Sequence, residues 1–180
     1  MPGVFIAIEG SDGSGKGTQT ELLVAKLRSE GHAFEVFDFP QYGKPSAHFV
    51  ERYLAGDFGD INDVGPYIPS YFYALDRFDA KQRIQEALAA DKIVVANRFS
   101  GSNMAHQSAK FDRREERLGF FTWIDQLEHE TLGIPRPELN IVLAVPAEIS
   151  VGLISKRQGD KRDAHEADVD YLKRSVAAYE

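Results

Sequence analysis

The sequence predicts an α/β fold, with a mostly parallel sheet and helices on both faces. Three observations carry this. A glycine-rich stretch, Gly10-Ser11-Asp12-Gly13-Ser14-Gly15-Lys16-Gly17-Thr18, lies between the apolar run Val4-Phe5-Ile6-Ala7-Ile8 and a helical pattern from Thr20 to Leu27. Further short apolar runs alternate with segments of helical spacing along the chain, as crossover connections between parallel strands require. The chain has 180 residues, 43% of them apolar, enough for a single domain over 1–180 with one core.

In order, Val4 to Ile8 reads as the first strand and Thr20 to Leu27 as the first helix. Phe34-Glu35-Val36-Phe37-Asp38-Phe39 alternates apolar and polar residues and reads as a second strand ending at Pro40. Gln41 to Ser46 is a loop, with Ser46 the expected cap of a helix running to about Leu54. Gly56 to Gly65 is an acidic, solvated loop. From Pro66 to about Ala90 a long helix is expected, with Tyr71, Leu75, Phe78, Ile84 and Leu88 at helical spacing and mostly in the core. Lys92 to Asn97 reads as a buried parallel strand whose end meets a site. A loop from Arg98 to Ser102 precedes helix from near Asn103, and Arg113 to Thr131 forms another helix. Its Arg113, Arg114 and Arg117 alternate with Glu115 and Glu116 as a solvated face does. Leu139 to Val145 is the fourth strand, Ala147 to Lys156 a helix, 156–163 a charged, flexible run, and a last helix runs from near Glu166 to Glu180.

Composition narrows the function. A net charge of −7 argues against a general nucleic-acid binder, while leaving room for a small phosphorylated ligand held by local cations. The absence of cysteine excludes disulfides and thiolate chemistry, and fits a reducing compartment. The apolar run from Val4 is too short for a signal peptide and ends in Glu9, and no run approaches the ~20 residues of a membrane span, so a cytoplasmic protein is expected.

The glycine-rich stretch has the spacing G-x-x-x-x-G-K of a phosphate-binding loop, in the strand–turn–helix setting that such a loop needs. Gly10, Gly13 and Gly15 allow backbone N–H groups, Ser14 among them, to curl around a phosphate. Lys16 supplies a positive charge, and the helix start supplies unsatisfied N–H groups. Gly17 stands where Ser or Thr usually follows the Lys. Thr18 comes one place later, so the hydroxyl ligand for Mg²⁺ is expected to be replaced by water. In a parallel sheet the loops after Gly10, Phe39 and Asn97 meet at one edge, where ligands bind.

From Val4 to Tyr179 the chain resembles the thymidylate kinase family. The matching residues are Ile8-Glu9-Gly10 with Asp12, Phe39-Pro40 with Tyr42-Gly43, Tyr53-Leu54-x-Gly56, Tyr73-Ala74-Leu75-Asp76-Arg77, Asn97-Arg98-Phe99 followed by Ser102-Asn103-Met104-Ala105, and the lid-like run 156–166. Each motif is modest alone, and their order and spacing together are specific. The resemblance implies a P-loop NTPase fold with a short lid, and transfer of the γ-phosphoryl group from ATP to dTMP with Mg²⁺. It also implies a homodimer.

It further implies residue roles. Lys16 and the loop amides would hold the ATP phosphates. Asp12 would accept a hydrogen bond from the 3′-hydroxyl of the acceptor; alternatively it stabilises the loop. Tyr73 would stack on thymine, although helical spacing alone makes it a core residue. Arg77, one turn on, would donate to thymine O4; its blander reading is a surface ion pair with Asp76 or Asp79. Arg98 would bind the acceptor phosphate with help from Tyr42 and Lys44. Phe39 and Asn103 would complete the nucleotide site, and His106 stands where the family usually has Tyr beside the sugar. Asn97 replaces the usual Asp, so its link to Mg²⁺ would run through water. Gly13 within the loop implies that a lid arginine, Arg157 or Arg162, stabilises the transition state; a solvated loop is the alternative there. The family usually continues for about 25–35 residues more, so a short form or an incomplete chain is expected. Two other readings remain open on sequence alone. One is a kinase for dUMP or ribonucleotides, motivated by His106. The other is a nucleotide-binding protein with little catalysis, motivated by Asn97 and Gly17.

Overall fold

The sheet is built from strands whose alternate residues face opposite helical layers. A computed structural model describes residues 3–60, 63–158 and 169–179, without the side chains of 154–158, 169 and 170. β1 (Val4–Gly10), β2 (Phe34–Asp38), β3 (Ile93–Asn97) and β4 (Leu139–Leu143) form one all-parallel sheet in the order β2-β3-β1-β4. On one face Phe5, Ala7, Phe37, Val94 and Ala96 pack with Ala80, Ile84 and Ala87. On the other, Ile8 and Val95 pack with Leu23 and Leu27. This period of two in β1 and β3 puts both faces under helices and explains the nearly continuous apolar runs of the central strands.

Among the described residues the helices are α1 (Lys16–Ser29), α2 (His48–Leu54), α3 (Tyr67–Ala89), α4 (Ser100–Ser108), α5 (Arg114–Asp125), α6 (Ala147–Gln158) and α7 (Val169–Ala178). α1 covers one face and α3 the other. The 23-residue α3 approaches the sheet on Ala74, Ala80, Ile84 and Ala87. Small residues let it sit close, and this reverses one expectation. Tyr71, Leu75 and Phe78 are exposed by 42%, 49% and 44%, not in the core. Ile84 is buried and Leu88 packs against the core, as expected.

Four boundaries also differ. α4 begins at Ser100, because the Glu9 carboxylate accepts the Phe99 N–H and organises the turn ahead of the helix. Ser46 does not cap α2: it sits in a 3-10 turn, Pro45–Ala47, and its hydroxyl donates to Asp76 instead. The helix expected over Arg113 to Thr131 widens into a π turn, Gln126–Thr131, which leaves Glu128 fully buried. β4 stops at Leu143, the partner of Gly10, because β1 there leaves the sheet for the glycine loop. Most of the expected lid, including Arg162 and Glu166, lies outside the described residues, as does the start of the last helix. Among the described residues no helix is long and apolar enough to cross a membrane.

Candidate active site

The C-terminal ends of β1, β2 and β3 open onto one cleft. β1 ends at Gly10, where φ is 144° and a Cβ would come within 2.7 Å of Ser14 Oγ and 2.9 Å of the Leu143 carbonyl. Only glycine fits this close approach. The loop then folds on itself: Ser14 N–H donates to the Ser11 carbonyl at 3.2 Å. Gly15, at φ 86°, leads into α1. Lys16 starts that helix and is buried, with Nζ donating to the Ser11 carbonyl at 2.6 Å and Ser14 Oγ at 3.4 Å. The lysine thus lies within the cradle that its own loop forms. Gly17 and Thr18 are exposed on the first turn. A Cβ on Gly17 would meet nothing within 4 Å, so crowding does not account for the missing hydroxyl.

Arg98 follows β3 in the left-handed region, at φ 65°, with its N–H donating to the Ile8 carbonyl at 2.9 Å. That conformation is uncommon for a residue with a Cβ and turns the chain sharply from strand to helix. The guanidinium pairs with Asp12, donates to Ser102 Oγ at 3.3 Å and the Gly10 carbonyl at 3.4 Å, and lies 3.2 Å from His106 Nε2. His106 Nε2 is 4.0 Å from Asp12 Oδ2, and Tyr171 OH donates to the His106 carbonyl at 2.6 Å. Under this cluster lies Glu9, 1% exposed, which accepts from Ser102 Oγ at 2.6 Å and Phe99 N–H at 3.0 Å. Burial pushes the Glu9 carboxyl upward, while the Ser102 hydrogen bond and the Arg98 charge pull it back. Tyr179 reaches in from the C-terminal segment, its hydroxyl 3.1 Å from Ser102 Oγ, and burial pushes that hydroxyl's ionisation upward.

α3 contributes the far wall. Tyr73 and Arg77 lie one turn apart on it. Arg77 does not pair with Asp76 or Asp79. Its Nε and NH2 nitrogens donate to Glu128 at 2.7 and 2.5 Å, and both residues are buried. Asn103 Nδ2 donates to Glu128 Oε1 at 3.0 Å and to the Ser70 carbonyl at 3.3 Å. Asp76, adjacent to Arg77, holds the loop after β2: it accepts from Gln41 N–H at 2.8 Å and Ser46 Oγ at 2.6 Å. Tyr42 on that loop is 60% exposed at the rim.

Asp12, Phe39, Tyr42, Tyr73, Arg77, Arg98, Asn103 and His106, all singled out from the sequence as nucleotide contacts, line this cleft together. Pro40, Leu54, Ser102 and Gln107 complete it. Lys16 and the glycine loop lie next to it through Asp12. Arg157 falls in the last turn of α6, and Arg162 lies outside the described residues. Glu128 and Gln107 were not singled out beforehand. Gln107 is fully buried, and neither atom of its side-chain amide has a hydrogen-bond partner among the described residues. No local pattern marks Glu128, whose role depends on a partner 51 residues away.

The cleft therefore joins a cationic corner, an aromatic and apolar slot, and amide and guanidinium groups at the slot's end. Such a set binds a phosphorylated, planar, hydrogen-bonding ligand. Beside it, Asp38 and Asn97 close β2 and β3, and Asn97 Nδ2 donates to Asp38 Oδ1 at 2.7 Å. Burial pushes the Asp38 carboxyl upward, against the opposing effects of Asn97 and Arg98. Among the described residues no three His, Cys, Asp or Glu side chains are grouped to hold a metal alone. Asp38 and the unpartnered, buried Asn97 Oδ1 do fit a hydrated Mg²⁺, which needs one or two protein oxygens beside phosphate and water.

The family model for thymidylate kinase matches residues 8–179. A thymidylate kinase from Mycobacterium tuberculosis (strain ATCC 25618 / H37Rv) is 33% identical over 182 aligned positions, covering 98% of this chain and 84% of the relative. One from Caulobacter vibrioides is 32% identical over 161, covering 89% and 73%. A solved thymidylate kinase from Candida albicans superposes with a TM-score of 0.75 at 22% identity, covering 99% of this chain and 76% of that one, which establishes a likeness of fold.

Proposed function

The chain belongs to the thymidylate kinase family, and on that premise we propose that it transfers the γ-phosphoryl group of ATP to dTMP, giving dTDP and ADP in the synthesis of dTTP. One observation carries the reading: the expected phosphate-binding and base-reading side chains line a single cleft at the strand ends, next to the glycine loop.

The residues divide the work as follows. Loop amides from Gly10, Gly13, Ser14, Gly15, Gly17 and Thr18, with Lys16, hold the ATP phosphates. Arg98 takes the acceptor's phosphate in a bidentate grip, exchanging part of its contact with Asp12, and Asp12 then accepts from the sugar 3′-hydroxyl. Tyr73 stacks on thymine, flanked by Phe39, and Tyr42 closes the rim. Arg77, aimed by Glu128, donates to thymine O4, where the amino group of cytosine would present a donor and be rejected. Asn103 reads the base edge and His106 borders the sugar. These groups set an acceptor phosphate oxygen in line with the γ-phosphorus, and the reaction depends chiefly on that positioning. Mg²⁺, when bound with ATP, neutralises phosphate charge, and Asp38 and Asn97 would hold it through water. Arg157 or Arg162 supplies transition-state charge from the lid.

The protein works in the cytoplasm as a homodimer. Support for association comes from the outer face of α3, where Ile68, Tyr71, Leu75 and Phe78 form a stripe with each residue more than 40% exposed. Such a stripe calls for a covering surface.

Release of ADP from Mg²⁺–ATP is measured with dTMP, dUMP, dCMP, UMP and AMP in turn. Turnover with dTMP, and weaker turnover with dUMP, is expected. Absence of turnover with every acceptor, despite dTMP binding in calorimetry, overturns the reading.

A further inference from the structure

Asp38 and Asn97 are the last residues of adjacent parallel strands and lie in register. The donor side of the Asn97 amide is taken by Asp38 Oδ1 at 2.7 Å, and its acceptor, Oδ1, is buried without a partner among the described residues. A buried acceptor with no donor is costly unless a ligand or water satisfies it. Asp12 and Glu9, the carboxylates at the phosphate end of the neighbouring cleft, are engaged. Asp12 is paired with Arg98, and Glu9 accepts from Ser102 and the Phe99 N–H. Asp38 differs from both. Its one side-chain hydrogen bond among the described residues comes from a neutral amide, and it makes no ion pair there. Asp38 is open to solvent beside the buried, unpartnered Asn97 oxygen, so a hydrated cation can reach both.

We propose that Asp38, aimed by Asn97, is the carboxylate through which this chain holds the waters of the ATP-bound magnesium ion. The charge stands on β2 and the amide on β3. Asp38 is thus a positioning residue for the metal, and the inference rests on the kinase reading only in taking Mg²⁺–ATP as the ligand. The competing account is a tie between two strand ends with no part in metal binding.

Calorimetry of a non-hydrolysable ATP analogue, with and without Mg²⁺ and without any acceptor, separates the two. Removing an outer-sphere partner typically weakens metal affinity by about 10–100-fold. Asp38→Asn, and Asp38→Ser as a second uncharged variant, are expected to raise the Mg²⁺ concentration for half-maximal enhancement of analogue binding by at least tenfold. Metal-free analogue binding should not weaken, because losing a carboxylate beside the phosphates only removes repulsion. The double variant Asp38→Asn/Asn97→Asp, which moves the carboxylate to β3, is expected to recover most of the loss. An unchanged Mg²⁺ dependence in the single variants overturns the proposal, as does an equal loss with and without Mg²⁺. Because no acceptor is present, a failure of dTMP phosphorylation would leave this readout intact.

Discussion

Arg77 enters the cleft already committed: two of its three guanidinium nitrogens rest on Glu128, and Glu128 also receives Asn103. The pair fixes the guanidinium plane before any ligand arrives, which suits the base-reading role proposed for it. Taking away one partner leaves an uncompensated buried charge, worth about 3–5 kcal/mol. Glu128→Ala is therefore expected to lower the unfolding free energy by about that much in urea titration, and a loss below about 1 kcal/mol would show the pair to be unimportant for the fold. Arg77 was legible in the sequence, because Tyr73 and Arg77 fall one turn apart within a recognisable motif. Glu128 was not. A glutamate in a charged helical segment reads as a surface residue, and only the π turn and a partner 51 positions away reveal it. Gln107 escaped for a similar reason, since a lone glutamine carries no pattern. The readings of Gly10 and Lys16 needed only local spacing.

At the scale of the element, α3 serves two surfaces. One side touches the sheet through small residues and carries Tyr73 and Arg77 to the cleft. The other presents Ile68, Tyr71, Leu75 and Phe78 outward. The helix and its length were legible from periodicity, but not which apolar side the core would take, because both sides are apolar. Volume decided: alanines allow close approach to the strands, whereas the rings and the leucine cannot be accommodated there. If the outer stripe is the subunit contact, Leu75→Glu converts dimer to monomer in sedimentation velocity, while circular dichroism keeps its native form. A wild-type protein that sediments as a monomer at the same concentrations removes the stripe from that role.

At the scale of the whole molecule, the order β2-β3-β1-β4 brings three strand ends to one edge, and that much followed from alternating strands and helices. What did not follow was how the periphery is tied together. Lys110, just after α4, donates to Tyr53 OH on α2 and to the Gly65 carbonyl ahead of α3, each at 2.8 Å. Burial pushes its ammonium down to about 8 from an ordinary 10.5, with Asp60 pulling the other way. Between these values the unfolded chain binds more protons than the folded one, so this residue's contribution to stability rises with pH from about 8 to about 10.5. Chemical denaturation across that window should show wild type gaining relative to Lys110→Met. A flat difference would place the lysine's pKa at its ordinary value.

The left-handed backbone of Arg98 has a consequence for how this protein can evolve. A side chain with a Cβ there costs about 1–2 kcal/mol, which glycine would not incur. Yet the Arg98 guanidinium at that turn pairs with Asp12, donates to Ser102 and is the group assigned to the acceptor phosphate. Selection for a longer-lived fold and selection for turnover therefore pull position 98 in opposite directions, and lineages under thermal pressure must find compensating changes elsewhere in the chain.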